Sequence, residues 1–316
     1  MKEVTSINIL IVGTGVIGTL YGCALSEKHN VFHFVRKGKI DSYNEKRISY
    51  DFIDERNDKH HQNTTGRYIY HCITEIHKDY DLIIVPVKSY QLQEALHTLI
   101  QQSPNSNYLL FTLDWDSRGM IDSILNKKQY IMGYAGGGGT FNGDLLWANL
   151  GNDLMLGAVY PEQIPLLQFV TDLFKDCCIN PQIAENPFHW LWIHNVGSAP
   201  LGVALTKYKD MPCLLNDKSL VKTSFRAIRE CYKICEKRGV NLKDYDEVSM
   251  MSLPLFLLYP LFKRNFTKNP IMKRYSAHAV DAIDEMVNNF KAIYETGSAL
   301  GVDMPNMKVL MDIISR

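Results

Sequence analysis

The apolar positions in the first half of the chain fall in short closed runs, while those in the second half recur at helical spacing. Ile7 to Val12 is apolar and β-branched apart from Asn8, which predicts a buried strand. Thr19 to Lys28 has few breakers and predicts a helix, and Val31 to Val35 reads as a second strand. A polar stretch follows from Asp41 to Tyr68. Tyr80 to Lys88 gives the next strand, Gln91 to Gln101 a helix, Asn107 to Leu113 a strand, and Gln129 to Gly133 another. Such alternation is the pattern of a doubly wound parallel sheet. From Gly133 to Gly157 the chain reads as a strand, a glycine loop and two short strands, a hairpin at the far edge of that sheet. Beyond Pro161 the pattern turns helical over 188–205, 219–238, 250–263 and 271–300, punctuated by Pro187, Pro212 and Pro305. An α/β domain over 1–185 followed by an all-α domain over 186–316 is the expected layout.

The first strand runs straight into Gly13-Thr14-Gly15-Val16-Ile17-Gly18 and then a helix. That order suits a dinucleotide and predicts a Rossmann-type first domain. Gly13 permits the tight turn, and Gly15 has no Cβ to hold a pyrophosphate away from the backbone. Gly18 lets helix and strand pack closely, and the helix N-terminus offers its amides to the phosphates. After the second strand comes Arg36-Lys37-Gly38-Lys39, with no carboxylate before Asp41. A carboxylate there would accept hydrogen bonds from a ribose 2′-hydroxyl and repel a 2′-phosphate, whereas a guanidinium holds the phosphate with two parallel bonds. NADP(H) is therefore expected over NAD, with Arg36 as the main contact and Lys37 or Lys39 as a second. A basic surface turn is the plain alternative. Lys88 ends a buried strand, where it would lie beside the pyrophosphate or the substrate. The four glycines at 136–139 lack the Gly-Lys-Ser/Thr ending and the following helix of a phosphate loop.

Composition narrows the picture little. At 316 residues the chain can form two domains with a sizeable core. Lys plus Arg and Asp plus Glu both number 34, so charge makes no case for nucleic acid or an anionic membrane. The first apolar run is the strand itself, which predicts no cleaved leader. Ser252 to Phe262 is too short to span a bilayer and contains Pro254 and Pro260. It suits a core or a homodimer interface. Seven cysteines without zinc spacing suggest reduced thiols in a cytoplasmic protein, and no metal site is expected.

These features together resemble the ketopantoate reductase (2-dehydropantoate 2-reductase) family. The resemblance rests on the glycine turn, Arg36, Val87-Lys88-Ser-Tyr-Gln91, the segment from Gly133 through Gly143-Asp-Leu-Leu-Trp to Leu156-Gly157, and Trp192 onward. It implies an NADPH-binding Rossmann domain followed by a helical domain. It also implies hydride transfer to a small 2-keto acid in the interdomain cleft, with ketopantoate to pantoate, a step of pantothenate biosynthesis, the leading candidate.

The family's site residues carry over unevenly. Val87-Lys88 matches its Val-Lys pair. The asparagine expected beside the nicotinamide is absent from Thr112-Leu-Asp114-Trp-Asp116, where Asp114 is the nearest counterpart. The family's general-acid lysine lies two residues after a tryptophan, and here Trp192-Ile193-His194 puts His194 there. An asparagine one turn on is matched by Ser198, and the substrate-binding glutamate of the last long helix falls on Glu285. Histidine can supply the proton that ketone reduction needs, since its titration range lies near neutral pH. His194 and Ser198, four apart, would face one side of a helix. Each of the four also has a bland reading: a satisfied helix histidine, a small residue at a helix crossing, a solvated or capping carboxylate. A catalytically silent NADP(H)-binding relative, acting as a sensor or binding protein, is the alternative from another class.

Overall fold

The computed structural model describes residues 6–56, 62–113, 115–152 and 154–315. Its contacts divide the chain into two units, Met1–Pro187 and Phe188–Arg316.

Among the described residues the first unit has twelve strands: β1 Asn8–Val12, β2 Asn30–Phe34, β3 Arg47–Asp54, β4 Gln62–Ile69, β5 Cys72–Ile73, β6 Leu82–Val85, β7 Tyr108–Phe111, β8 Tyr130–Tyr134, β9 Gly137–Asn142, β10 Leu145–Leu150, β11 Met155–Gly157 and β12 Gln182–Ile183. Eight form one sheet in the order β12-β11-β8-β7-β6-β1-β2-β5. From β5 to β8 every pair is parallel; only the β8–β11 pair is antiparallel. Ile9, Leu10 and Ile11 of β1 and all of β6 are fully buried, as an apolar strand covered on both faces must be. Strand order reverses beside β1, between β2 on one side and β6 on the other, and ligands of such sheets bind beyond the carboxyl ends at that point. The expected α/β domain of Rossmann type is what forms.

A second sheet, in the order β4-β3-β10-β9, departs from the sequence pattern. The stretch Asp41 to Tyr68, whose polarity gives no strand signal, carries β3 and β4. They are only partly covered: Ile48, Phe52 and Ile53 of β3 are buried among exposed and half-buried neighbours, and over 63–69 of β4 Tyr68 is the buried position. The glycines expected to form a loop instead open β9: Gly137, Gly138 and Gly139 pair with Leu150, Asn149 and Ala148. A Cβ on Gly139 would lie 2.3 Å from Trp147 O, and one on Gly137 would lie 2.5 Å from Asn149 O and 2.9 Å from a Leu20 methyl. The glycines thus allow two backbones and a helix to approach one another. The hairpin of β9 and β10 belongs to this sheet and not to the far edge of the first one. Tyr21, on the helix Val16–Leu25, donates to Gly136 O at 3.0 Å.

The second unit is helical. Its helices include Pro187–Leu205, Met211–Asn216, Lys218–Lys237, Asp246–Met251, Leu255–Lys268, Pro270–Asp281, Ile283–Ala299 and Pro305–Ile314. The single helix expected over 271–300 is two, broken at Ala282 (φ −105°, ψ 11°). The stretch 250–263 is likewise split near Pro254, which caps the second piece. Pro305 starts a helix, its missing N–H costing nothing in a first turn.

Candidate functional site

The glycine turn lies at the carboxyl end of β1. Gly13 has φ 87°, a conformation that side chains rarely tolerate, and its N–H bonds Phe34 O of β2 at 2.9 Å. Gly15 caps the helix Val16–Leu25 with no side-chain hydrogen bond, and a Cβ there would meet nothing within 4 Å. A Cβ on Gly18 would lie 3.2 Å from both Gly13 O and Ile11 Cγ2, so that glycine keeps helix and strand close. The three glycines differ in the way a pyrophosphate cradle needs: one for the turn, one for open space, one for packing. Thr14, Val16 and Ile17 are the residues between them.

Arg36 follows β2 and is exposed, at the start of the 3-10 turn Lys37–Lys39. The Lys37 ammonium pairs with Glu75 at 2.6 Å, which raises the lysine and lowers the carboxylate from their ordinary pKa values, and both side chains stay exposed. Lys39 is the other basic neighbour. Lys88 is half-buried just beyond β6, on the other side of β1, and its ammonium lies 6.0 Å from the Tyr90 ring centroid. The turn, Arg36 and Lys88 therefore stand at the ends of three adjacent strands. Asp114 lies outside the described residues. On either side of it, the hydroxyls of Thr112 and Ser117 are buried with no hydrogen-bond partner among the described residues. Thr112 follows the apolar strand β7 directly, and Ser117 caps the helix Arg118–Ile124.

In the helical unit, His194 and Ser198 share the helix Pro187–Leu205. The His194 ring stacks on Trp190, centroids 5.1 Å apart and planes 7° from parallel. The residue is half-buried, and the packing around it pulls the imidazole down to about 4, because burial disfavours the charged form. Ser198 Oγ donates to Asn195 O of its own helix at 3.1 Å. Glu285 is half-buried in the first turn of the helix Ile283–Ala299. The two helices meet closely, since a Cβ on Gly202 would lie 2.3 Å from Met286 Cβ. Asn195 escaped the sequence pattern. It is fully buried and neither amide atom has a hydrogen-bond partner among the described residues, an expensive arrangement for a polar group. Among the described residues no cluster of His, Cys, Asp or Glu could hold a metal, and no helix is long and apolar enough to cross a membrane.

Residues 9–138 match the family model described as ketopantoate reductase PanE/ApbA. No curated protein matches by sequence. Among solved structures, 2-dehydropantoate 2-reductase from Geobacter metallireducens is similar at 14% identity and TM-score 0.71, over 98% of this chain and 99% of that one. Dimeric ketopantoate reductase from Staphylococcus aureus is similar at 12% identity and TM-score 0.68, over 98% of each chain. D-mandelate dehydrogenase, solved with NADH and anilino(oxo)acetate, is similar at 15% identity and TM-score 0.71, over 98% of this chain and 97% of that one. Identities this low speak for the fold alone.

Proposed function

We propose that this chain, whose residues 9–138 match the ketopantoate reductase family model, is an NADPH-dependent reductase of a small 2-keto acid, ketopantoate foremost. The observation that carries the cofactor reading is the glycine turn with Arg36 at the end of the neighbouring strand. Open space at Gly15 fits a pyrophosphate, and an exposed guanidinium with no acid beside it in sequence fits a 2′-phosphate. The bound dinucleotide would supply the hydride.

In this reading Gly13 to Gly18 hold the pyrophosphate through backbone amides, Arg36 the 2′-phosphate, and Lys88 an anionic group near the nicotinamide. His194 serves the carbonyl oxygen. Burial keeps it neutral at pH 7, so it acts as a hydrogen-bond donor to the developing alkoxide, which takes its proton from water. Ser198, one turn on, holds the substrate on the same helix face. Glu285 accepts from a substrate hydroxyl. Being an anion, it would repel a carboxylate, so the acid group of the substrate is directed to a cation such as Lys88. Asp114 is proposed on the resemblance alone, beside the nicotinamide.

The experiment is turnover by His194→Phe, which keeps an aromatic ring against Trp190 but has no N–H to donate. A kcat loss of about a hundred-fold or more with unchanged NADPH affinity supports the assignment. Unchanged kcat would take His194 out of the chemistry.

A further inference from the structure

We propose that Tyr68 and Tyr70 are positioning residues for the dinucleotide pyrophosphate, each fixing one carbonyl of the glycine turn through a buried two-step relay. This rests on the cofactor reading above. In the first relay, His33 Nδ1 lies 2.7 Å from Gly13 O, and His33 Nε2 lies 2.8 Å from the Tyr68 hydroxyl. A carbonyl can only accept, so Nδ1 carries the proton, Nε2 accepts, and Tyr68 donates. His33 is fully buried, and burial takes its imidazole down to about 4, so it holds this one neutral tautomer near pH 7. In the second relay, Thr19 Oγ1 donates to Thr14 O at 3.2 Å and lies 2.8 Å from the Tyr70 hydroxyl. Thr19 has one proton to give, so Tyr70 donates to it. Burial raises both phenols, and each keeps the proton its relay requires.

In a trans peptide the N–H points opposite to the preceding C=O. Holding Gly13 O and Thr14 O therefore aims the amides of Thr14 and Gly15 the other way. A Cβ on Gly15 would meet nothing within 4 Å, so room for an anion exists beside those amides. Donors fixed before the ligand arrives lose little freedom when it binds. The relays are also packed to stay in place. The Tyr68 and Tyr70 rings meet edge-on at 5.4 Å, and His33 meets Tyr70 at 5.0 Å and 89°. Gly22 leaves room for them, since a Cβ there would lie 2.7 Å from the Tyr68 hydroxyl and 2.9 Å from His33 Nε2. Tyr68 lies in β4 and Tyr70 just after it, so the second sheet is the platform from which the turn is held. Both relays are neutral, so they add no repulsion towards an anion.

The test is equilibrium binding of NADPH and of adenosine 2′-monophosphate, which has the 2′-phosphate but no pyrophosphate. It compares the unaltered protein with Tyr68→Phe, Tyr70→Phe and Thr19→Val, all of which keep side-chain shape. Each variant is expected to weaken NADPH roughly five- to ten-fold and to leave adenosine 2′-monophosphate unchanged. Equal losses for both ligands would mean general loosening and would overturn the proposal, as would unchanged NADPH affinity. Failure of the unaltered protein itself to bind NADPH would instead remove the cofactor reading, and the proposal with it. If one variant does not fold, the other relay still decides the question.

Discussion

Gly202 sits directly against Met286, with room for no side chain between them. That contact sets the spacing between the helix carrying His194 and Ser198 and the helix carrying Glu285. Met286 Cβ is fixed to backbone, so a larger residue at 202 must push the helices apart. Misplacing catalytic groups by about 1 Å can cost on the order of a hundred-fold in rate. Gly202→Val is expected to lower kcat by at least about ten-fold while NADPH affinity is retained, measured by turnover beside direct binding. Equal kcat in the two proteins would mean that the spacing does not matter for catalysis.

Arg36 should discriminate between the two nicotinamide cofactors. Arg36→Ala removes the guanidinium but introduces no acid. A loss of roughly ten- to a hundred-fold in NADPH affinity is expected, with NADH changed less than about two-fold, since charge-assisted bonds to phosphate are among the stronger ones. Arg36→Asp should widen the gap by repulsion. Parallel losses for both dinucleotides, read by titration, would remove the 2′-phosphate argument.

Two histidines, His33 fully buried and His194 half-buried, predict acid sensitivity. His33 and His194 are each lowered to about 4 by burial, against about 6.5 in an unfolded chain. Between those values the unfolded state binds protons that the folded state refuses. Stability therefore falls as pH drops from about 6.5 towards 4 and levels off below. His29 and His189, both lowered by burial, act in the same direction. Urea midpoints at pH 7.5 and 5 should show the fall, with a shallower one in His33→Gln. A midpoint independent of pH in this window would contradict the burial of these rings.

Glu230 anchors the final helix. Its carboxylate, nearly buried, accepts from Asn306 N at 3.0 Å and Met307 N at 2.9 Å in the first turn of Pro305–Ile314. Anionic acceptors at a helix start satisfy its unpaired amides and its dipole together. Glu230→Ala should cost about 2–4 kcal/mol by denaturant unfolding, and Glu230→Gln less, because its amide oxygen still accepts. Equal stability of all three proteins would show that water replaces the carboxylate freely.

The strands most legible in the sequence were those buried on both faces, although half-buried β2 was legible too. Ile9 to Ile11, Leu82 to Val85 and Tyr108 to Phe111 have no polar face to confuse the pattern. β3 and β4 are half-solvated and rich in Asp, Thr, Arg and Asn, so their composition reads as loop. Gly137 to Gly139 read as loop for a different reason: the residue that best permits close backbone approach is also the commonest turn residue. His33 was hidden in β2 as one polar letter in an apolar run, and its role depends on Tyr68, 35 positions later. Within the candidate site, the glycine turn was legible because a local motif forms it. Glu285 came only from the family resemblance. Asn195 carried no signal, since burial of an amide is a property of packing.

The most direct test of the central claim is loss of reduced-nicotinamide absorbance when purified protein is mixed with NADPH or NADH and a panel of 2-keto acids that includes ketopantoate. The account predicts steady oxidation with at least one of these acids, at a higher kcat/KM for NADPH than for NADH. Tight NADPH binding without oxidation on any acid would contradict it and leave a catalytically silent NADP(H)-binding relative.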